Sequence, residues 1–246
     1  MKNQYFGDVG DYGKYALLRF LANSGIKVAV NWYLTSDDGT NDGKHVAYLK
    51  DPYMRKYDDE LFDLLSEMLE RGCRDVIAFE KEEAINGAAY FHNVIDDTPK
   101  SRIEKKKLRM MWHLEALHIC EGAELVFLDP DNGACEHEPQ NAKQWKKYCY
   151  ANEIADYYNR GQNVVYYCSK GRRTYSQLEE TKSLMQRTIP DARVAVITFH
   201  KGTQRSYIFV LHEKDYRKYD EIIKKFLETW PRIFTEECDK TGVVEG

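Results

Sequence analysis

The sequence predicts an α/β fold, with a mostly parallel sheet, helices on both faces and a C-terminal antiparallel hairpin. Three observations carry that expectation. Short apolar runs at 27–34, 75–80, 125–128 and 163–168 have the length and the Val, Phe, Tyr and Leu content of buried strands. Stretches of helical apolar spacing separate them, and alternating βα units imply parallel pairing through crossover helices. Two last runs, 193–199 and 205–212, flank the short turn HKGTQ, which is hairpin spacing.

The chain has 246 residues, 43% hydrophobic and 31% charged, with a net charge of -4. That is the composition of an ordinary globular protein, and it excludes a global basic field aimed at nucleic acid. No repeat or low-complexity linker divides it, so the expectation is a single domain over 1–237, with a helical insertion around 46–72 and a disordered tail at 238–246. No apolar run approaches a membrane span, and the start MKNQYFGD does not read as a signal peptide, so a cytoplasmic location is expected. The six cysteines include no Cys-x-x-Cys pair, and Cys135-Glu-His137 lacks the second ligand pair that a zinc site requires.

In chain order, residues 3–14 form a glycine-rich entry to a helix over Tyr15–Ala22, which Asn23-Ser-Gly25 closes. Lys14 sits near its start, but the spacing is not a Walker A loop. Lys27–Leu34 reads as a strand that runs into the Asp- and Gly-rich stretch TSDDGTNDGKH. Residues 46–72 read as helical, with Leu61, Leu64, Leu65, Met68 and Leu69 on one face. Asp75–Glu80 is expected to be a second strand ending in an acid, and Tyr90–Ile95 a short third one. Thr98–Cys120 is a charged helix whose basic start, with Lys100, Arg102, Lys105, Lys106, Lys107 and Arg109, either tracks phosphates or is a solvated face.

The central strand is Leu125–Leu128. It stops at Asp129, because Pro130 cannot donate to a sheet ladder and Asn132-Gly133 is turn chemistry. Two carboxylates and an amide therefore stand just beyond the carboxyl end of a buried strand, the edge at which open α/β sheets bind ligands. The bland reading is a turn whose side chains only bond their own backbone. Helices are expected over Gln140–Arg160, after SKGRR as far as Arg187, and over Lys214–Trp230, with a strand at Asn163–Cys168.

In motif order the chain resembles the Rossmann-like S-adenosylmethionine-dependent methyltransferases, and distantly those that modify adenine N6 in bacterial 23S ribosomal RNA. The resemblance spans about Tyr5 to Trp230. Gly7, Asp11, Lys14 and Tyr15 match the family's opening helix, Tyr33–Gly39 its cofactor loop, and Glu80 its second-strand acid. Asp129-Pro130-Asp131-Asn132 stands where the family has Asp-Pro-Pro-Tyr. The resemblance implies S-adenosylmethionine held by Lys14, Tyr15, Asp37, Asp38, Gly39 and Glu80. It implies catalysis by Asp129, Pro130, Asp131 and Asn132, contacts to a base from Tyr5, Phe6 and Tyr167, and RNA or DNA as the partner. The chain departs from the pattern at Thr35, where an acid is usual, in lacking Gly-x-Gly, and at Asn132, where an aromatic ring is usual.

The chemistry explains the interest in Asp129. An exocyclic amine is a poor nucleophile until oxygen acceptors draw on its N–H bonds and free its lone pair. Two other function classes stay open on sequence alone. One is a metal-dependent nuclease or phosphohydrolase using Asp37, Asp38, Asp129 and Asp131. The other is a non-catalytic relative that binds a nucleotide.

Overall fold

The computed structural model describes all residues except 38, 40–42, 44, 97, 99–100, 140–143, 170–174 and 238–246, and the backbone alone at 175–178. The expected tail and Asp38 fall outside the described residues. The strands are Val28–Asn31 (β1), Ala89–Phe91 (β2), Leu125–Leu128 (β3), Gly133–Cys135 (β4), Tyr148–Tyr150 (β5), Asn163–Ser169 (β6), Arg193–Phe199 (β7), Arg205–Leu211 (β8) and Phe234–Glu236 (β9). All but β4 and β5 form one seven-stranded sheet in the order β2-β1-β3-β6-β8-β7-β9. Strands β2, β1, β3 and β6 are mutually parallel, while β8, β7 and β9 pair antiparallel in turn. The α/β class and the closing hairpin are as the sequence predicts.

The helices are Val9–Asn23 (α1), Pro52–Arg55 (α2), Asp59–Glu70 (α3), Val76–Lys81 (α4), Arg102–Ile119 (α5), Ala151–Asn159 (α6), Tyr175–Thr188 (α7) and Glu213–Thr229 (α8). One buried cluster packs α1, α3, α4 and α8 on one face of the sheet, and a second packs α5, α6 and α7 on the other. Among the described residues no helix is long and apolar enough to cross a membrane.

Several local readings are corrected. Asp75–Glu80 is helix, not strand: the Asp75 carboxylate accepts from Ile77 N as an N-cap, and Val76 and Phe79, three apart, share the buried side. A short apolar run does not by itself distinguish strand from helix. Residues 9–14 of the glycine-rich entry belong to α1, which starts six residues earlier than its apolar spacing suggests because Asp8 caps Gly10 N and Asp11 N. Gly10 is there for closeness, since a Cβ would lie 1.9 Å from Arg205 Cζ. The helix expected from 140 starts only at Ala151, and residues 148–150 instead pair with β4.

Strand register aligns the residues of the carboxyl edge. Asn31, Leu128 and Tyr166 lie side by side across β1, β3 and β6. Residues just past these positions therefore share the carboxyl edge of the parallel strands. Strand β6 runs on to Ser169, opposite Arg205 at the start of β8, so both overhang Asp129. The order β2-β1-β3 makes the gap between β1 and β3 the switch point of the sheet, the crevice in which such sheets bind ligands.

Candidate functional site

A polar cleft of about 310 Å³ opens at this edge, lined by the start of α1, the 129–132 segment, the end of β6 and the β7–β8 turn. At its floor Asp129 is 3% exposed and its amide donates to Asn31 O, 3.0 Å away, so its position is set by the sheet itself. Lys14 reaches it from α1: Nζ lies 2.6 Å from Asp129 Oδ2 and 2.8 Å from Asp11 Oδ1. Asp11 is held in turn by Tyr15 Oη and Gly7 N. Burial raises the Asp129 carboxyl above its ordinary value, against the pull of Lys14 and the Met1 ammonium. Burial works to lower Lys14, but Asp11 and Asp129 outweigh it and keep the lysine protonated.

The crevice between β1 and β3 is filled from the start of the chain. The Met1 ammonium donates to Asp129 O at 2.9 Å and to Tyr33 O at 3.2 Å, and pairs with Asp131 Oδ1 at 3.0 Å. Burial pushes Asp131 up, but the Met1 ammonium, Lys2 and Lys147 together hold it below the ordinary carboxylate value. Thr35 N donates to Met1 O, and Asp37 accepts from Gln4 N, so residues 1–4 lie along the segment after β1. On the opposite wall Arg205 pairs with Asp8 at 2.8 Å.

The structure gathers Asp129, Pro130, Asp131, Asn132, Lys14, Tyr5 and Tyr167 around the cleft. Burial pushes the Tyr167 hydroxyl up to about 12. Gly133, with φ +110, brings the chain against Cys168, where a Cβ would sit 2.8 Å from its sulfur. Other expected residues stand elsewhere. Phe6 is fully buried against Tyr15 and Phe79, so it cannot stack on a substrate. Tyr15 is likewise a core residue, stacked on Phe79 at 4.3 Å. Asp37 and Gly39 are exposed outside the cleft.

Glu80 does not end a strand. From α4 it accepts Trp32 Nε1 at 2.7 Å and contacts His92 Nδ1 at 2.8 Å, bridging the residues that follow β1 and β2. Burial raises its carboxyl, against the hydrogen bonds from Trp32 and His92. Arg109 is not on a phosphate-tracking face. It is buried in an ion pair with Glu153 at 2.6 Å, and its guanidinium lies over Tyr150 at 4.5 Å.

Sequence reading missed Asp8, Arg205, Lys147, Ser169 and Thr203, which also line the cleft. Asp8 carried a signal, an N-cap residue ahead of a helical run. Arg205 carried none, since only the β6–β8 register brings it over Asp129. Among the described residues no three His, Cys, Asp or Glu side chains are grouped as a metal site needs.

No protein-family model matches the chain, and no curated protein matches it in sequence. A solved structure of a protein from Legionella pneumophila str. Philadelphia 1, of family DUF519, is similar at 9% identity, with 94% of this chain and 96% of that one covered and a TM-score of 0.45.

Proposed function

We propose that this chain is an S-adenosylmethionine-dependent N-methyltransferase whose acceptor amine is held between the ends of β1 and β3. One observation carries the reading. Asp129 ends β3 beside the switch point of the sheet, buried and with its amide on Asn31 O, and Pro130, Asp131 and Asn132 follow it along the wall of a polar cleft. That places a carboxylate and a second acceptor segment at the edge where open α/β sheets bind ligands, as an amine acceptor would require. The insertion of β8 antiparallel between β6 and β7 also supports it, since the family resemblance leads one to expect a late hairpin.

The donor set along the edge fits the cofactor in kind and order. The segment that starts at Tyr33 follows β1, and Glu80 and His92 stand at the end of β2, while Lys14, paired with Asp11 and Asp129, serves to position Asp129 rather than to hold the cofactor. The segment after β1, Glu80 and His92 would hold S-adenosylmethionine, which when bound supplies a methyl group made electrophilic by its sulfonium. Residues 1–4 lie across this stretch and would have to yield to it. The chain's own part is orientation and charge. Asp129 and Asp131 take N–H bonds from the acceptor, Lys14 keeps Asp129 in place, and Pro130 stiffens the turn between them.

A nucleic-acid base as acceptor is the less supported variant. Lys106 and Lys107 present an exposed basic face on α5, but Asn132 stands where a stacking ring is expected, and Phe6 is lost to the core, leaving Tyr5 and Tyr167. The metal-dependent reading has less still: Asp129 is taken up by Lys14, and Asp131 by the Met1 ammonium. A thermal-shift assay tests the proposal. S-adenosylhomocysteine should raise the melting temperature, because a ligand that binds only the folded state stabilises it by mass action. A folded protein that shows no shift at millimolar ligand would end the reading.

A further inference from the structure

Exposed apolar side chains concentrate on one helix of this fold. Of the seven large hydrophobic residues exposed among the described residues, five lie on α5: Ile103, Met110, Met111, Leu114 and Ile119. The helix buries its other side through Arg109, Trp112, His113 and Ala116. Ile103 is 82% exposed, Met110 58% and Leu114 57%. With Lys107 and the half-buried Leu117 they follow the alternating spacing of four and three residues that lines up one seam along a helix. A contiguous apolar patch of this kind marks a contact surface. Beside the seam a pocket of about 520 Å³ opens between α5 and α6, bordered by Lys106, Met110 and Leu114, so a second helix has a groove to enter.

The charges say what covers the seam. The amino-terminal half of α5 carries Arg102, Lys105, Lys106 and Lys107 against one acid, Glu104, whereas Glu115 and Glu121 stand towards and just past its carboxyl end. Two such helices laid antiparallel set each basic half beside the other's acidic end, and their dipoles oppose. Laid parallel, they would set like charges together. A phosphate backbone would take up the lysines but leave Ile103, Met110 and Leu114 in water.

We infer that α5 is a self-association surface: two copies of this chain pair their α5 helices antiparallel, about a two-fold axis between Met110 and Leu114. Met110 of each copy then packs on Leu114 of the other, Lys107 comes alongside Glu115, and Lys106 alongside Glu121. Such an isologous contact uses the same patch on both copies and closes on itself, so the product is a dimer and not a filament. Lys107 within the apolar seam costs stability and fixes the register. One helix pair is smaller than a standard interface, so the dimer is weak, with a Kd on the order of 100 µM.

Sedimentation equilibrium of the intact chain tests the pairing. Between about 5 and 500 µM, a range that brackets a contact of this size, the mass should rise from 28.9 kDa towards twice that value. Leu114→Glu and Ile103→Glu, both at exposed positions, should keep the melting temperature and each weaken association at least tenfold. Lys106→Glu with Lys107→Glu should weaken it too. Adding Glu115→Lys and Glu121→Lys to that same chain should restore it, because antiparallel helices then regain complementary charge. A wild-type chain that stays monomeric at the highest concentration, or a dimer that survives both Leu114→Glu and Ile103→Glu, would overturn the surface. Failure of the four-residue reversal to restore association would overturn the antiparallel pairing. A monomer that binds polyuridylate RNA through Lys106 and Lys107 would replace it with a nucleic-acid surface.

Discussion

Lys14 Nζ lies 2.6 Å from Asp129 Oδ2 and bridges it to Asp11, with both carboxylates buried and the lysine side chain 4% exposed. Two acids and one cation thus share a dry site at the foot of the cleft. Removing the cation would leave two anions facing each other, whereas removing Asp129 would leave Lys14 still paired with Asp11.

Lys14→Met should therefore destabilise the fold by about 3–5 kcal/mol, the cost of stranding buried charge. Asp129→Asn should cost less, about 2 kcal/mol or below, because the amide oxygen still accepts from Lys14. The double variant should be more stable than the sum of the two losses implies. Urea unfolding of the four proteins checks this, and strict additivity would mean that the pair is not coupled.

The two acids of the acceptor segment should respond to pH with opposite sign. Burial raises Asp129 above 3.8, so the folded state binds its proton more readily, and its contribution to stability is lost as pH rises from 3.8 through the raised value. Asp131 is lowered below 3.8, so its contribution is present above 3.8 and is lost as pH falls through the lowered value. In melting curves taken against pH, Asp131→Asn should flatten the acid-side loss, and Asp129→Asn should flatten the loss above 3.8. Matching slopes in both variants would contradict the assignment.

On α5 the arginine and the lysines should behave as different classes. Arg109→Leu strands Glu153 in the core and should cost about 3–5 kcal/mol or prevent folding. Lys106→Ala with Lys107→Ala should leave the melting temperature within about 2 °C, as surface changes do. Differential scanning calorimetry distinguishes them; a stable Arg109→Leu protein would show that the buried pair does not hold the fold.

Much of this was legible in the chain. Leu125–Leu128 read as a buried strand with a carboxylate at its carboxyl end, because Pro130 stops the run and Asn132-Gly133 is turn chemistry. The hairpin at 193–212 was likewise written in its turn spacing. What could not be read was set by register and tertiary choice. Val76 and Phe79 suit either a strand or a short helix, and only the Asp75 cap decides between them. Phe6 looked available on a polar tail, yet packing against Tyr15 and Phe79 draws it into the core. Arg205 joins the cleft only because β8 pairs with β6, a contact between distant parts of the chain. The crevice that Met1 fills is visible only once β1 and β3 are neighbours.

The central claim is that Asp129 and Asp131 serve methyl transfer from S-adenosylmethionine, and calorimetric titration of S-adenosylhomocysteine into wild type and Asp129→Asn tests it most directly. One site per chain is expected in both proteins, with affinities within about threefold of each other, because Asp129 serves the acceptor rather than the cofactor. No heat of binding at millimolar ligand to folded wild type would contradict it.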